Sequence, residues 1–167
     1  MTSRLKDGHF WAAVLIILAT IYLIVATYLH WLNFGFMVGQ YRFNHWLGWT
    51  GTFFVAIFTP LYYVSKRHYP KRGTVFLGLH VVGNLIAFML VSIHFAAQVG
   101  RSPQFYPDLG TGVVLYLVML IMAFTGFFQR FQLAQSQVRR WRFLHVSVAI
   151  SFYLIIFIHV LHGINLI

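Results

Sequence analysis

The sequence predicts an all-α membrane protein, a bundle of five transmembrane helices. Of its 167 residues, 60% are hydrophobic and only 8% are charged, whereas soluble domains carry about 25% charged residues. The apolar residues fall into five runs of about the 20 residues that cross a hydrocarbon core. Basic residues gather in the short connections between the runs. These three observations together predict the fold class, the number of spans and their orientation.

Each run has a reason to be read as a separate span. The first is too long for a cleaved secretory signal, and aromatic residues at its far end are typical of a membrane interface. The second carries Pro60 near its end, where a membrane bundle tolerates a kink. A basic turn, a polar loop and a second basic connection at about 129–142 separate the remaining three. The expected spans are about 11–32, 45–64, 74–98, 110–128 and 143–164, within one domain, 1–167.

The basic residues divide unequally between the two sides of the membrane. With five spans, ten lysines and arginines fall on one side and two, Arg42 and Arg101, on the other. Because cytoplasmic loops are rich in lysine and arginine, we expect a multi-pass plasma-membrane protein with its N-terminus cytoplasmic and its C-terminus outside. The net charge of +10 then reflects topology, and we expect the lipid bilayer, not nucleic acid, as partner. The ten are Arg4, Lys6, Lys66, Arg67, Lys71, Arg72, Arg130, Arg139, Arg140 and Arg142.

Four histidines form the most informative pattern of the chain. His80 and His94 lie 14 positions apart in the third span, and His145 and His159 repeat that spacing in the fifth. Fourteen residues make about 3.9 helical turns, so each pair shares one face, about 21 Å apart along the axis. One ion cannot bridge that distance. With the two spans running in the same direction, we expect His80 to pair with His145, and His94 with His159.

The pairs predict two b-type haems, each held by two axial imidazoles. Intramembrane histidines are costly unless paired, and a porphyrin needs only two protein ligands, whereas zinc takes three or four. The chain has no cysteine, which excludes thiolate ligands, iron–sulfur clusters and covalent haem attachment. Only Asp7 and Asp108 are acidic, which excludes paired-carboxylate chemistry. The competing interpretation of any single histidine is an interhelical hydrogen bond.

Two further residues are candidate haem contacts. Gly83 lies one turn from His80 and would admit a porphyrin plane close to the backbone. Arg142 lies one turn before His145, where its guanidinium would hold a propionate. The competing interpretations are ordinary helix packing for the glycine and the positive-inside bias for the arginine. At the outer edge, the candidates for binding an electron acceptor or delivering protons are His30, His45, His162 and Arg101.

With these residues, the sequence resembles the ferric reductase-like transmembrane family, which includes the membrane parts of NADPH oxidases and ferric reductases. The resemblance spans about 11–167 and depends on His80-x13-His94, His145-x13-His159 and the Arg-Phe-Leu-His stretch at 142–145. It implies a dihaem protein that carries electrons across the membrane. Family members usually have a sixth span, and many continue into a flavin and nicotinamide domain. This sequence has five spans and no Gly-x-Gly-x-x-Gly stretch.

The resemblance therefore implies that a partner protein or a quinol donates the electrons, and that the chain is an electron-transfer subunit. One alternative is a quinone-linked cytochrome b subunit that anchors a respiratory complex, since the histidine spacing is also similar to that of respiratory cytochrome b. The sequence has no Pro-Glu-Trp-Tyr quinol motif. The other alternative is a haem-free transporter or assembly subunit that uses its histidines to carry protons.

Overall fold

The structure is a computed structural model that describes residues 7–102, 104, 110–133, 135–163 and 166. Five long helices account for most of the described chain, and a short β-hairpin separates the first two. The elements are α1 (Gly8–Tyr28), β1 (Met37–Val38), β2 (Tyr41–Arg42), α2 (Phe43–His68), α3 (Gly73–Val99), α4 (Gly110–Arg130) and α5 (Val138–Gly163). The predicted fold class is confirmed, since the described helices include five that are long and apolar enough to cross a membrane.

The chain divides into two compact units, Met1–Pro103 and Gln104–Ile167. In unit 1, α3 packs against both α1 and α2. In unit 2, α4 and α5 pack against each other as a helical hairpin. The single dihaem domain predicted from the sequence concerns the two units together and stays a prediction.

The first helix begins and ends at identifiable signals. Asp7 caps its N-terminus, where Oδ1 accepts a hydrogen bond from the backbone N–H of His9 at 3.0 Å. At the other end His30 adopts a left-handed conformation, with φ of 59°, which the helix cannot continue through. The span therefore ends at Tyr28, four residues before the predicted boundary. Its 21 residues still reach about 31 Å at 1.5 Å per residue.

The connection between α1 and α2 is ordered by a β-hairpin that the sequence did not predict. Val38 pairs with Tyr41 across a two-residue turn, and Gly39 supplies the positive φ of 63° that such turns need. The hairpin is tied to α2 because the indole N–H of Trp46 donates to the Val38 carbonyl oxygen at 3.1 Å. Arg42, at the end of β2, is thereby held at the start of α2.

Four of the five helices begin earlier than predicted, and α5 differs most. It starts at Val138 rather than about 143, so the predicted basic connection is shorter and three of its arginines lie in α5. Trp141 explains the extension, because its ring lies 5.5 Å from that of Phe128 on α4 and 6.1 Å from that of Phe124. Arginine is also a good helix former, and no glycine or proline interrupts the segment.

The buried core of the described residues is small and lies mainly along α3. Nine residues of α3 are buried, against two of α5. Large apolar side chains such as Phe143 and Phe157 are 76% and 65% exposed, which a soluble protein would not tolerate over whole helices. In a membrane these surfaces contact lipid, so the chain is a multi-pass membrane protein in contact with the bilayer.

Candidate functional site

The four predicted ligands lie half-buried on two helices, one in each unit. His80 and His94 belong to α3 of unit 1, and His145 and His159 to α5 of unit 2. Each predicted haem takes one histidine from each unit, so the pairing itself stays a prediction. Within each unit, the structure shows which groups surround each imidazole.

In unit 1, backbone carbonyl oxygens of α2 hold both rings by the same nitrogen. His94 Nδ1 lies 2.8 Å from the Asn44 carbonyl oxygen, and His80 Nδ1 lies 3.3 Å from that of Phe58. A carbonyl oxygen only accepts, so each Nδ1 carries the proton and donates it. In that tautomer Nε2 keeps the lone pair, which is the atom that binds a metal when Nδ1–H is held by a second group.

A side-chain amide on α3 supplements the hold on His80. Asn84 Nδ2 lies 3.0 Å from His80 Nδ1, yet two donors cannot bond each other. The buried Asn84 Oδ1 has no hydrogen-bond partner among the described residues. Turning the amide by 180°, which leaves its shape unchanged, places Oδ1 against Nδ1–H. His80 then donates to both the Phe58 carbonyl and the Asn84 amide, consistent with a fixed Nδ1–H tautomer.

In unit 2, threonine hydroxyls of α4 take the place of the carbonyls. Thr125 Oγ1 lies 3.0 Å from His145 Nδ1, and Thr111 Oγ1 lies 3.0 Å from His159 Nδ1. The Thr125 hydroxyl already donates its proton to the Ile121 carbonyl oxygen at 2.8 Å, so towards His145 it accepts. His145 therefore has the same Nδ1–H tautomer as the two histidines of unit 1.

These partners repeat the 14-residue spacing of the histidines. Asn44 and Phe58 lie 14 positions apart on α2, and Thr111 and Thr125 lie 14 apart on α4. In both units the order is reversed, as expected for antiparallel neighbours, so the earlier partner contacts the later histidine. One face of α2 therefore contacts both histidine rings of α3, and one face of α4 contacts both rings of α5. In each unit the two contacts lie about 21 Å apart along the helix.

Glycines allow the neighbouring helices to approach three of the rings. A Cβ at Gly48 would lie 3.1 Å from His94 Cγ, one at Gly126 would lie 3.1 Å from His145 Cε1, and one at Gly112 would lie 3.5 Å from His159 Cε1. In unit 2 each glycine directly follows the threonine that holds the same ring. Gly83, a predicted haem contact, instead faces α2, where a Cβ would overlap the Phe58 ring. Its role beside a porphyrin stays a prediction.

Two aromatic rings flank the histidines of unit 1. The Tyr62 ring centroid lies 4.9 Å from that of His80, and the His45 centroid lies 5.4 Å from that of His94. Arg142, the predicted propionate partner, is exposed on α5, one turn before His145. Its contact with a propionate stays a prediction.

The arrangement fits bis-histidine haem ligation on the chemistry of its donor atoms. Across the described residues, no three side chains of His, Cys, Asp or Glu come together as a metal site, and a haem requires only two. The residues that would hold haem are the four histidines, each with its Nδ1 fixed by a neighbouring helix. Such supporting hydrogen bonds orient metal-binding imidazoles and raise their basicity.

The supporting roles of Asn44, Phe58, Thr111 and Thr125 were not predicted from the sequence. The Thr-Gly dipeptides at 111–112 and 125–126 repeat at the histidine spacing, so a search for a second 14-residue period would have found them. The carbonyl partners have no such signal, since every residue has a carbonyl group. No protein-family model, curated protein or solved structure matches this chain significantly.

Proposed function

We propose that the chain is a dihaem b-type cytochrome, ferric reductase-like in its histidine pattern, that carries electrons across a membrane. The proposal depends on one observation, a 14-residue spacing that occurs on four helices. Ligand candidates at a 14-residue spacing on α3 and α5 meet Nδ1 partners at the same spacing on α2 and α4. A single structural histidine needs no such repetition, whereas two cofactor sites at two depths do.

The protein's own part in this function is ligation and orientation. His80, His94, His145 and His159 would serve as axial ligands. The partners on α2 and α4 orient the four rings, and they fix the Nδ1–H tautomer of the first three. When bound, haem b supplies a one-electron Fe(III)/Fe(II) couple at each site. The spacing of about 21 Å along each ligand helix separates one level from the other across much of an apolar core of about 30 Å.

The basic loops indicate which of the two levels lies nearer the cytoplasm. We assign the Lys66–Arg72 turn and the connection before α5 to the cytoplasm, which makes the level of His80 and His145 the inner one. Arg4 and Lys6, which contribute to that assignment, lie outside the described residues. Electrons would enter from a partner protein or a quinol on one side and leave on the other, with the plasma membrane as the expected location.

An absorption spectrum of the purified protein tests the proposal directly. We expect a low-spin b-type spectrum and about two haems per chain on extraction. His94→Ala should lose one haem and keep the other, because the two levels use different ligands. His162→Ala is the matched control, since His162 is exposed on α5 and faces about 100° from the ligand line. It should keep both haems.

Different outcomes identify the alternatives. Haem-free protein that still folds would contradict the proposal and favour a transporter or assembly subunit. Loss of both haems in His94→Ala, with the helical content retained, would contradict the two-site arrangement. Two haems whose reduction by a quinol is blocked by a quinone-site inhibitor would favour the quinone-linked anchor subunit of a respiratory complex.

A further inference from the structure

One end of unit 1 contains a partly open cavity, lined in part by polar side chains, that the proposed haem ligation does not use. The last turn of α1, the hairpin connection, the start of α2 and the end of α3 border a volume of about 120 Å³. Its polar lining includes Thr27, His30, Arg42, Asn44 and Arg101. For comparison, an apolar cavity of about 150 Å³ accommodates a benzene molecule, so the space suits a ligand group of about five heavy atoms.

Three buried polar atoms of this lining have no hydrogen-bond partner among the residues that the structure describes. They are Thr27 Oγ1, Asn44 Oδ1 and Arg101 Nη2. Thr27 and Asn44 are only 3% and 2% exposed. Burying a polar group without a partner is costly, and native structures rarely do so. Three such atoms around one cavity indicate that a polar ligand completes their hydrogen bonds.

The charge of the cavity indicates the sign of that ligand. Arg42 and Arg101 both line it, and no acidic residue is among the described residues of its lining. Burial, and then the positive charge of Arg42, lower the pKa of Arg101 from its ordinary value, yet a guanidinium stays protonated at neutral pH. Asp7, the acidic residue in the described part of the chain, lies at the opposite end of α1. Among the described residues, the two positive charges therefore have no counter-charge within the cavity.

We propose that this cavity binds an oxyanion, with a phosphate or carboxylate group held between Arg42 and Arg101. Guanidinium groups match the oxygens of such anions by charge and by geometry. The Thr27 hydroxyl donates to a further anion oxygen, and Asn44 Oδ1 accepts from a protonated one. Hydrogen phosphate, which carries both kinds of oxygen at neutral pH, satisfies all three buried atoms at once.

The site uses residues of unit 1 alone and does not rest on the proposed haem function. It does touch the candidate ligands, because the Asn44 carbonyl accepts from His94 Nδ1 at 2.8 Å while the Asn44 side chain lines the cavity. The same chemistry has two sources, a free anion and the phosphate of a lipid headgroup. Exposed aromatic residues nearby, Trp31 at 68% and Trp46 at 41%, are typical of the interface where headgroups lie.

Calorimetric titration of the full chain with inorganic phosphate tests the proposal. The protein is delipidated in detergent at low ionic strength, and one saturable site per chain is expected. Arg101→Gln should weaken binding at least tenfold. Arg72→Gln is the matched control, because it removes the same charge from an exposed position away from the cavity, and it should bind as the wild type does. If Arg101→Gln does not fold, Thr27→Val replaces it and should weaken binding severalfold.

Two further arms identify the source. The first arm repeats the titration in nanodiscs that contain phosphatidylglycerol, and phosphate binding that persists there indicates a site for a free anion. Loss of phosphate binding in the nanodiscs, together with lipid retained on the protein in native mass spectra, indicates a site for a lipid headgroup. Either result supports an oxyanion site. Absence of a saturable site, or equal weakening in Arg101→Gln and Arg72→Gln, would overturn the proposal. Phosphate binding that disappears when haem is added would identify a haem carboxylate as the oxyanion that the site holds.

Discussion

Replacing Thr125 with valine should weaken the binding of haem at the His145 level by about tenfold. Thr125 Oγ1 accepts a hydrogen bond from His145 Nδ1–H at 3.0 Å, and the Thr125 hydroxyl donates a hydrogen bond to the Ile121 carbonyl oxygen at 2.8 Å. Valine keeps nearly the same shape but has no acceptor. The variant therefore removes the group that fixes the ring while leaving the helix packing almost unchanged.

The magnitude follows from the buried donor that remains. A buried N–H without an acceptor costs about 1–3 kcal/mol. The His145 ring is only partly buried, so the loss should lie in the lower part of this range, at about 1.4 kcal/mol, which is about tenfold in an equilibrium constant. Changes to groups that support metal ligands cost about 10–100-fold in affinity, in agreement with this value.

The assay is transfer of haem from the membrane protein to an excess of a soluble haem-binding apoprotein. Thr20→Val is a close control, because Thr20 and Thr125 are both 1% exposed and Thr20 also donates to the carbonyl oxygen four residues earlier, at 2.7 Å. It lacks the contact with histidine. Equal effects of the two substitutions, or normal haem retention in Thr125→Val, would refute the role assigned to the threonine hydroxyl.

Two other predictions concern ring packing and topology. Gly48→Ala should alter the electron paramagnetic resonance spectrum of one low-spin haem, because its Cβ would lie 3.1 Å from the later histidine ring of α3; Gly73→Ala, with open space around its Cβ, should not. Cysteines introduced at the exposed positions Lys71 and Ser136 should resist membrane-impermeant labelling of intact cells, whereas one at Ser102 should react. Reaction at Lys71 and protection at Ser102 would reverse the assigned orientation of the chain in the membrane.

The five spans could be predicted because each is a long apolar run, and the membrane imposes that length on every helix. The residues at which the helices begin and end were harder to predict. The first helix ends early because His30 adopts a left-handed backbone, which histidine rarely does. The hairpin before α2 escaped prediction because strands of two residues, Met37–Val38 and Tyr41–Arg42, are too short to show alternation.

The four candidate ligands could be predicted from the sequence, but their hydrogen-bond partners could be predicted only in part. Histidine is rare inside membrane helices, so a repeated spacing of histidines draws attention, whereas threonine and glycine are common there and their repeats do not. The carbonyl groups of Asn44 and Phe58 could not be predicted at all. Which carbonyl meets a ring depends on the register of α2 against α3, which tertiary packing decides.

The two units hold their imidazoles with chemically different acceptors, and this has a consequence for how the chain tolerates mutation. In unit 1 the acceptors are main-chain oxygens, so an exchange of the side chains at positions 44 and 58 leaves them in place. In unit 2 a hydroxyl must be encoded at positions 111 and 125, and serine is the one other aliphatic residue that supplies it. We therefore expect related sequences to vary at position 58 and still keep the contact with the ring, to retain Asn44 for its side chain in the anion cavity and not for its carbonyl, and to alternate between threonine and serine at the other two positions.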